Sequence, residues 1–240
     1  MNTIILLFLS SLLAGISVLA KPTLNKVNFK FILSFSGAFL FSSTLLHLLP
    51  EAFELGTKPV LTGAMVLVGF YFQIFIELFT EGVEHGHIHI HKPHQLKSIS
   101  LIAALCIHAF IEGMIIIHHH ETGVHEHNNN SLILGLIIHK IPETIALVSV
   151  LISNQISRKS SLVILLFFSA VSPIGALLSN IFIANSSHFY GYIMALVAGN
   201  FLYISTTIFF ESNPEHKVQI QRMTALFLGA ICSFIIEYFL

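Results

Sequence analysis

The chain has 240 residues, 55% of them hydrophobic and only 10% charged, with a mean hydropathy of +0.84. A soluble domain carries about 25% charged residues, so this is a membrane composition. A net charge of −1 with neutral histidines excludes a nucleic-acid footprint, and two cysteines, Cys106 and Cys232, exclude a disulfide framework or a Cys-based zinc finger. Histidine is the anomaly: there are 15, more than the 11 Lys and Arg together, and every acidic side chain is Glu.

Apolar segments at 3–20, 31–50, 60–80, 98–117, 131–152, 161–184, 189–210 and 221–240 are expected to be eight transmembrane helices. Most reach the roughly 20 residues that a helix needs to cross a bilayer core. The connections are short, so residues 1–240 read as a single polytopic all-α transmembrane domain. The first segment lacks a basic start and is followed by Lys21, Lys26 and Lys30, which favours a retained helix with its N-terminus outside over a signal peptide. In that frame Lys21, Lys26, Lys30, Lys92, Lys97, Arg158, Lys159, Lys217 and Arg222 all lie in cytoplasmic loops, and Lys58 alone lies in an outer one. Such a bias obeys the positive-inside rule and puts both termini on the extracellular or lumenal side.

Three His-x-x-x-Glu strings fall inside apolar segments: His47–Glu51, His108–Glu112 and His139–Glu143. About 0.75 would be expected by chance from this content of His and Glu, counted as a template match. Residues four apart share one helix face. The fourth and fifth segments would therefore each offer an imidazole and a carboxylate near mid-membrane, where an unpaired ion is costly. His108, Glu112, His139 and Glu143 are thus a candidate four-ligand site for a divalent metal between helices 4 and 5. Neutral imidazole and carboxylate suit Zn²⁺, and Fe²⁺, Mn²⁺ or Cd²⁺ would also be accepted. The competing explanation is helix–helix hydrogen bonding between polar groups, which one pair would permit and two pairs on adjacent helices make less natural. Pro142 frees the carbonyl of Ile138 and suggests a kink beside Glu143.

Two loops are rich in histidine. Residues 81–97 form a cytoplasmic loop carrying His85, His87, His89, His91 and His94. Residues 118–130 form an outer loop carrying His118, His119, His120, His125 and His127. Both are read as weak metal-gathering tracts, the alternative being low-complexity sequence without function. Glu77, Glu81 and Glu237 are read as solvated helix-end residues, and Glu211 and Glu215 as candidates to line an exit. Cys106 is read as a packing residue rather than a ligand.

These motifs resemble the ZIP (Zrt-, Irt-like) family of divalent metal transporters. His-Ala-Phe-Ile-Glu-Gly at 108–113 is similar to the family's helix 4 signature, and His-Lys-Ile-Pro-Glu at 139–143 to that of helix 5. His-Leu-Leu-Pro-Glu at 47–51 is similar to the helix 2 motif, and Gly-Asn-Phe-Leu-Tyr-Ile-Ser-Thr at 199–206 to the helix 7 motif. The resemblance implies metal uptake toward the cytosol, a pathway between helices 2, 4, 5 and 7, and an outer entrance at His47 and Glu51. Some members hold a second metal, for which this chain offers Ala109, Lys140 and Ser172, none a good ligand for a divalent cation. The resemblance thus implies a single-metal site. Lys140 and Ser172 would modulate the pathway, Lys140 either by competing for the carboxylates or by merely balancing charge.

The expectation is a non-enzymatic carrier of Zn²⁺ or a similar ion, with the metal as substrate and no prosthetic group. Its partners would be divalent ions and the lipid bilayer, with a homodimer compatible and no nucleic acid. The plasma membrane is the expected location and an organelle membrane the alternative. A rival class is an intramembrane zinc-dependent hydrolase. A metalloprotease would need His-Glu-x-x-His, and the nearest string, His120-Glu121-Thr122-Gly123-Val124-His125, has one residue too many. A metal-gated channel or sensor is the other rival, separated by whether metal uptake saturates.

Overall fold

A computed structural model describes residues 2–21, 26–80, 95–116, 130–183, 187–211 and 220–239. Among them all regular structure is helical, in eight helices. α1 is Asn2–Ala20. α2 is one continuous helix built from Lys26–Ser43, a π turn at Thr44–Leu48, and Leu49–Leu55. α3 is Pro59–Thr80, α4 Gln95–Gly113, α5 Asn130–Ser153, α6 Arg158–Ile183, α7 Ser187–Glu211 and α8 Ile220–Phe239. Helices satisfy every interior backbone group within themselves, which is why apolar chains of this kind form them in lipid.

Seven of the helices are long and apolar enough to cross a membrane. α4 departs from the expectation of 98–117: its apolar stretch is Ile99–Gly113, shorter than a full span. Gly113 has weak helix propensity and ends it. The chain then turns, with Met114 N–H reaching Phe110 and Ile111 O and Ile116 N–H reaching Gly113 O. Ile115 and Ile116 turn inward and are buried instead of extending the helix. α2 is longer than the expected 31–50. Large apolar side chains stand exposed along α3 (Val60, Leu67, Tyr71, Leu78) and α8 (Phe227, Phe234, Tyr238). A soluble monomer rarely exposes apolar surface on this scale, and the acyl chains of a bilayer cover it.

The helices sort into two groups of four. α1, α4, α5 and α6 pack through the pairs α1·α5, α4·α6 and α1·α6. α2, α3, α7 and α8 pack through α3·α7, α2·α8 and α2·α7. The groups meet where α2 lies on α5 and α3 on α4. Inside each group backbone touches backbone. A Cβ on Gly113 would strike the Ser172 carbonyl oxygen, and one on Gly175 the Phe110 carbonyl oxygen, so α4 and α6 cross in direct contact. Gly199 meets the Val66 carbonyl in the same way, joining α7 to α3. Small residues permitting such approach are the usual device for holding helices together in lipid.

The π turn has a local cause. Pro50 has no N–H to donate one turn back. The wider turn absorbs the fault: Leu49 N–H bonds the Thr44 carbonyl five residues back, and the Thr44 hydroxyl donates to the Leu40 carbonyl at 2.7 Å. Such turns are rare and often mark functional positions; this one carries His47.

Candidate metal centre

α4 and α5 bring three of the four expected ligands to one point. One ligand atom each from His108, Glu112 and His139 lie within 4.8 Å of one another, and all three residues are buried. Glu112 is the hub. Its Oε1 lies 2.8 Å from His108 Nε2 and 3.6 Å from His139 Nε2. Two ligand atoms on one tetrahedral Zn²⁺ stand about 3.3 Å apart, given metal–ligand bonds of about 2.0–2.1 Å. The two Glu112 separations bracket that value, and the third, between the imidazoles, is no more than 4.8 Å. The imidazole rings are nearly perpendicular, with centroids 6.1 Å apart. The i,i+4 spacing produces the His108–Glu112 contact within α4, and the α4–α5 packing adds His139.

Glu143 takes a different place. Its Oε2 is 2.7 Å from Lys140 Nζ, and the same ammonium contacts Glu112 Oε2. Lys140 therefore stands between the two carboxylates, with its Nζ also 5.6 Å from the Phe168 ring centroid. It is 2% exposed, as is Glu143, while Glu112 and His108 are fully buried. With both carboxylates ionised and both histidines neutral, two carboxylates and one ammonium leave this region one negative charge. The apolar surroundings make that charge a strong draw for a cation.

The scaffold behind the trio is tied by hydroxyls. Thr144 donates to the Lys140 carbonyl at 2.8 Å and pairs with Ser11 of α1 at 2.8 Å. Ser169 of α6 donates to Ser11 at 3.2 Å. Ser172 donates to the Ala109 carbonyl at 2.7 Å, so its hydroxyl serves the α4–α6 crossing. α5 runs without a break through Pro142. Cys106 is half-buried and packs against the apolar core.

A second polar cluster forms around the π turn. His47 Nε2 lies 3.2 Å from Glu51 Oε2, and His47 Nδ1 lies 2.7 Å from Glu237 Oε1 of α8. Reading Glu237 as a solvated helix end is therefore corrected: it joins His47 across 190 positions of sequence. The signal was present, because a lone carboxylate within an apolar segment needs a partner. Glu77 also has one, accepting a hydrogen bond from the Tyr203 hydroxyl. In the 199–206 string, Phe201 brings its ring centroid to 6.4 Å from that of His139. Neighbouring Asn200 is fully buried, with neither amide atom hydrogen-bonded among the described residues. His85, His87, His89, His91, His94, His118, His119, His120, His125 and His127 lie outside the described residues, as do Glu81 and Glu215.

Lipid-facing helices that enclose a buried His/Glu trio define a multi-pass membrane protein with a group able to hold a metal ion. The profile of the family described as ZIP Zinc transporter matches residues 84–237, well over half of the sequence, and the chain belongs to that family of divalent metal transporters. The matched stretch takes in both motifs of α4 and α5 and ends at Glu237; it begins after α3, so His47 and Glu51 precede it. No curated protein matches the chain.

Proposed function

We propose that this protein carries Zn²⁺, with Fe²⁺, Mn²⁺ and Cd²⁺ as competing cargo, toward the cytosol through one mid-membrane site formed by His108, Glu112, His139 and Glu143. The convergence of buried His108, Glu112 and His139 is the observation that carries this reading. The plasma membrane is the proposed location, with both termini outside.

His47 and Glu51, with Glu237 beside them, receive the ion at the outer entrance. The ion then passes to Glu112 and the two imidazoles. Glu143 completes the shell when Lys140 gives it up. Lys140 is the cation that the carboxylates hold when no metal is present, and it reclaims them as the metal departs. A bound ion must leave as readily as it arrives, and exchange against a tethered ammonium lowers the cost of leaving two carboxylates bare in an apolar site.

Movement of the ion requires the site to face each side in turn. The packing supports sliding of one helix group against the other. All four proposed ligands belong to α4 and α5, in one group, and the entrance residues belong to α2 and α8, in the other. Within groups, backbones touch at glycines. Between them, side chains provide the contacts, as where the Phe39 ring meets Gly135 and Phe201 meets His139.

Equilibrium binding tests the proposal. Purified protein titrated with Zn²⁺ should bind one ion at the buried site, and His108→Ala or His139→Ala should abolish that binding. Competition with Fe²⁺, Mn²⁺ and Cd²⁺ orders the cargo. Retention of the high-affinity ion in both variants would sink the assignment.

A further inference from the structure

Tyr190 lies in the first turn of α7 and is among the largest fully enclosed side chains of the described residues, at 2% exposed. Its hydroxyl donates to the carbonyl oxygen of Ile115 at 2.7 Å. Ile115 lies in the turn after Gly113, three residues beyond Glu112. This bond therefore runs from the α2, α3, α7, α8 group to the group that carries the proposed ligands. Two hydrogen bonds near it stay within one group: Thr57 with Tyr192 at 2.9 Å, and His188 Nδ1 with the Leu55 carbonyl at 2.9 Å. α4 has ended by Ile115, so its carbonyls no longer have donors supplied by a continuing helix. Tyr190 supplies one of them from across the boundary.

We propose that Tyr190 is a positioning residue for transport, a latch whose hydroxyl holds the outer end of α4 against α7 and keeps the site closed to the outside. The inference rests on the transport reading and on the orientation that places Ile115 and Tyr190 at the outer face. The closed state it describes is the one observed: His108, Glu112, His139 and Glu143 are at most 2% exposed, and Ile115 and Tyr190 seal together with Ile116, Leu132 and Met194. Outward opening separates the groups there and must break the bond.

Tyr190→Phe tests this, because it removes one oxygen and keeps the ring. One neutral hydrogen bond corresponds to roughly a two- to tenfold change in an equilibrium. The outward-open state should gain population by that factor. While that state is the minor one, the apparent KM for external Zn²⁺ should fall by the same factor, with no matching rise in maximal rate. A structural role would instead reduce folded yield and leave KM unmoved. The second readout does not need transport: in a Cys106→Ser/Cys232→Ser background carrying Leu132→Cys in the seal, an impermeant thiol reagent added outside should label the introduced thiol several-fold faster with Tyr190→Phe than without it. Unchanged KM together with unchanged labelling overturns the latch. If the parent protein takes up no metal, the transport reading fails separately, and the labelling rates alone still decide whether Tyr190 closes the outer end.

Discussion

Replacing Lys140 by Met keeps the side chain's length and removes its charge. In the metal-free protein this strips the counter-ion from two carboxylates, of which Glu112 is fully buried and Glu143 2% exposed. Removing one member of a buried ionic cluster costs about 3–5 kcal/mol. A bound Zn²⁺ neutralises both carboxylates in the variant, so most of that cost falls on the empty state and is recovered on binding. At about 1.4 kcal/mol per decade it sets a ceiling of a few thousandfold on the gain in affinity. Uptake of a proton by a carboxylate in the empty variant relieves part of the strain, so a gain of at least about tenfold is the expected floor. Calorimetric titration of Zn²⁺ against a competing chelator measures this directly, beside initial uptake rates in proteoliposomes. The variant should bind tighter, transport with a lower maximal rate because release slows, and gain more thermal stability from Zn²⁺ than the parent does. Unchanged affinity and rate, or weaker binding, would refute the role of Lys140 as a competing cation.

Glu237→Gln keeps the size of the entrance partner and removes its charge. Glu237 is 22% exposed, so the loss is discounted to about 0.5–1 kcal/mol, or a two- to fivefold rise in KM for external metal at constant maximal rate. An unmoved KM would remove Glu237 from the entrance. Gly113→Ala drives a methyl group into the Ser172 carbonyl and should cost about 1–3 kcal/mol as α4 and α6 part. A lowered melting temperature with weakened Zn²⁺ binding is expected, and wild-type values for both would contradict the close crossing. Uptake should fall as the medium is acidified, because metal binding requires deprotonated ligands and releases protons. A rate that rises steadily below about pH 6 would contradict a His/carboxylate shell.

The local part of the site was legible in the sequence because helical periodicity is local. Four-residue spacing puts His108 with Glu112 and His47 with Glu51, and both contacts occur. Lys140 was expected to reach Glu143 or Glu112, and it reaches both. What the sequence concealed depends on packing between distant segments. Glu237 meets His47 only because α8 lies along α2. The grouping of α1 with α4, α5 and α6 follows from interlocking surfaces, which hydropathy does not encode in a chain apolar on nearly every face. The early end of α4 was hidden because Ile115 and Ile116 prolong the apolar run beyond Gly113, and hydropathy cannot distinguish apolar residues in a helix from apolar residues in a buried turn. The π turn was hidden too: Pro50 announced a fault in the hydrogen-bond ladder without showing how the helix would absorb it.

Uptake of ⁶⁵Zn²⁺ into proteoliposomes, with the parent protein beside a His108→Ala/Glu143→Ala double variant, tests most directly whether metal crosses the membrane through this centre. Saturable uptake that is lost in a correctly folded double variant is the predicted result. Equal uptake by both proteins would place the pathway elsewhere, and no uptake by a parent protein that binds Zn²⁺ would contradict transport itself.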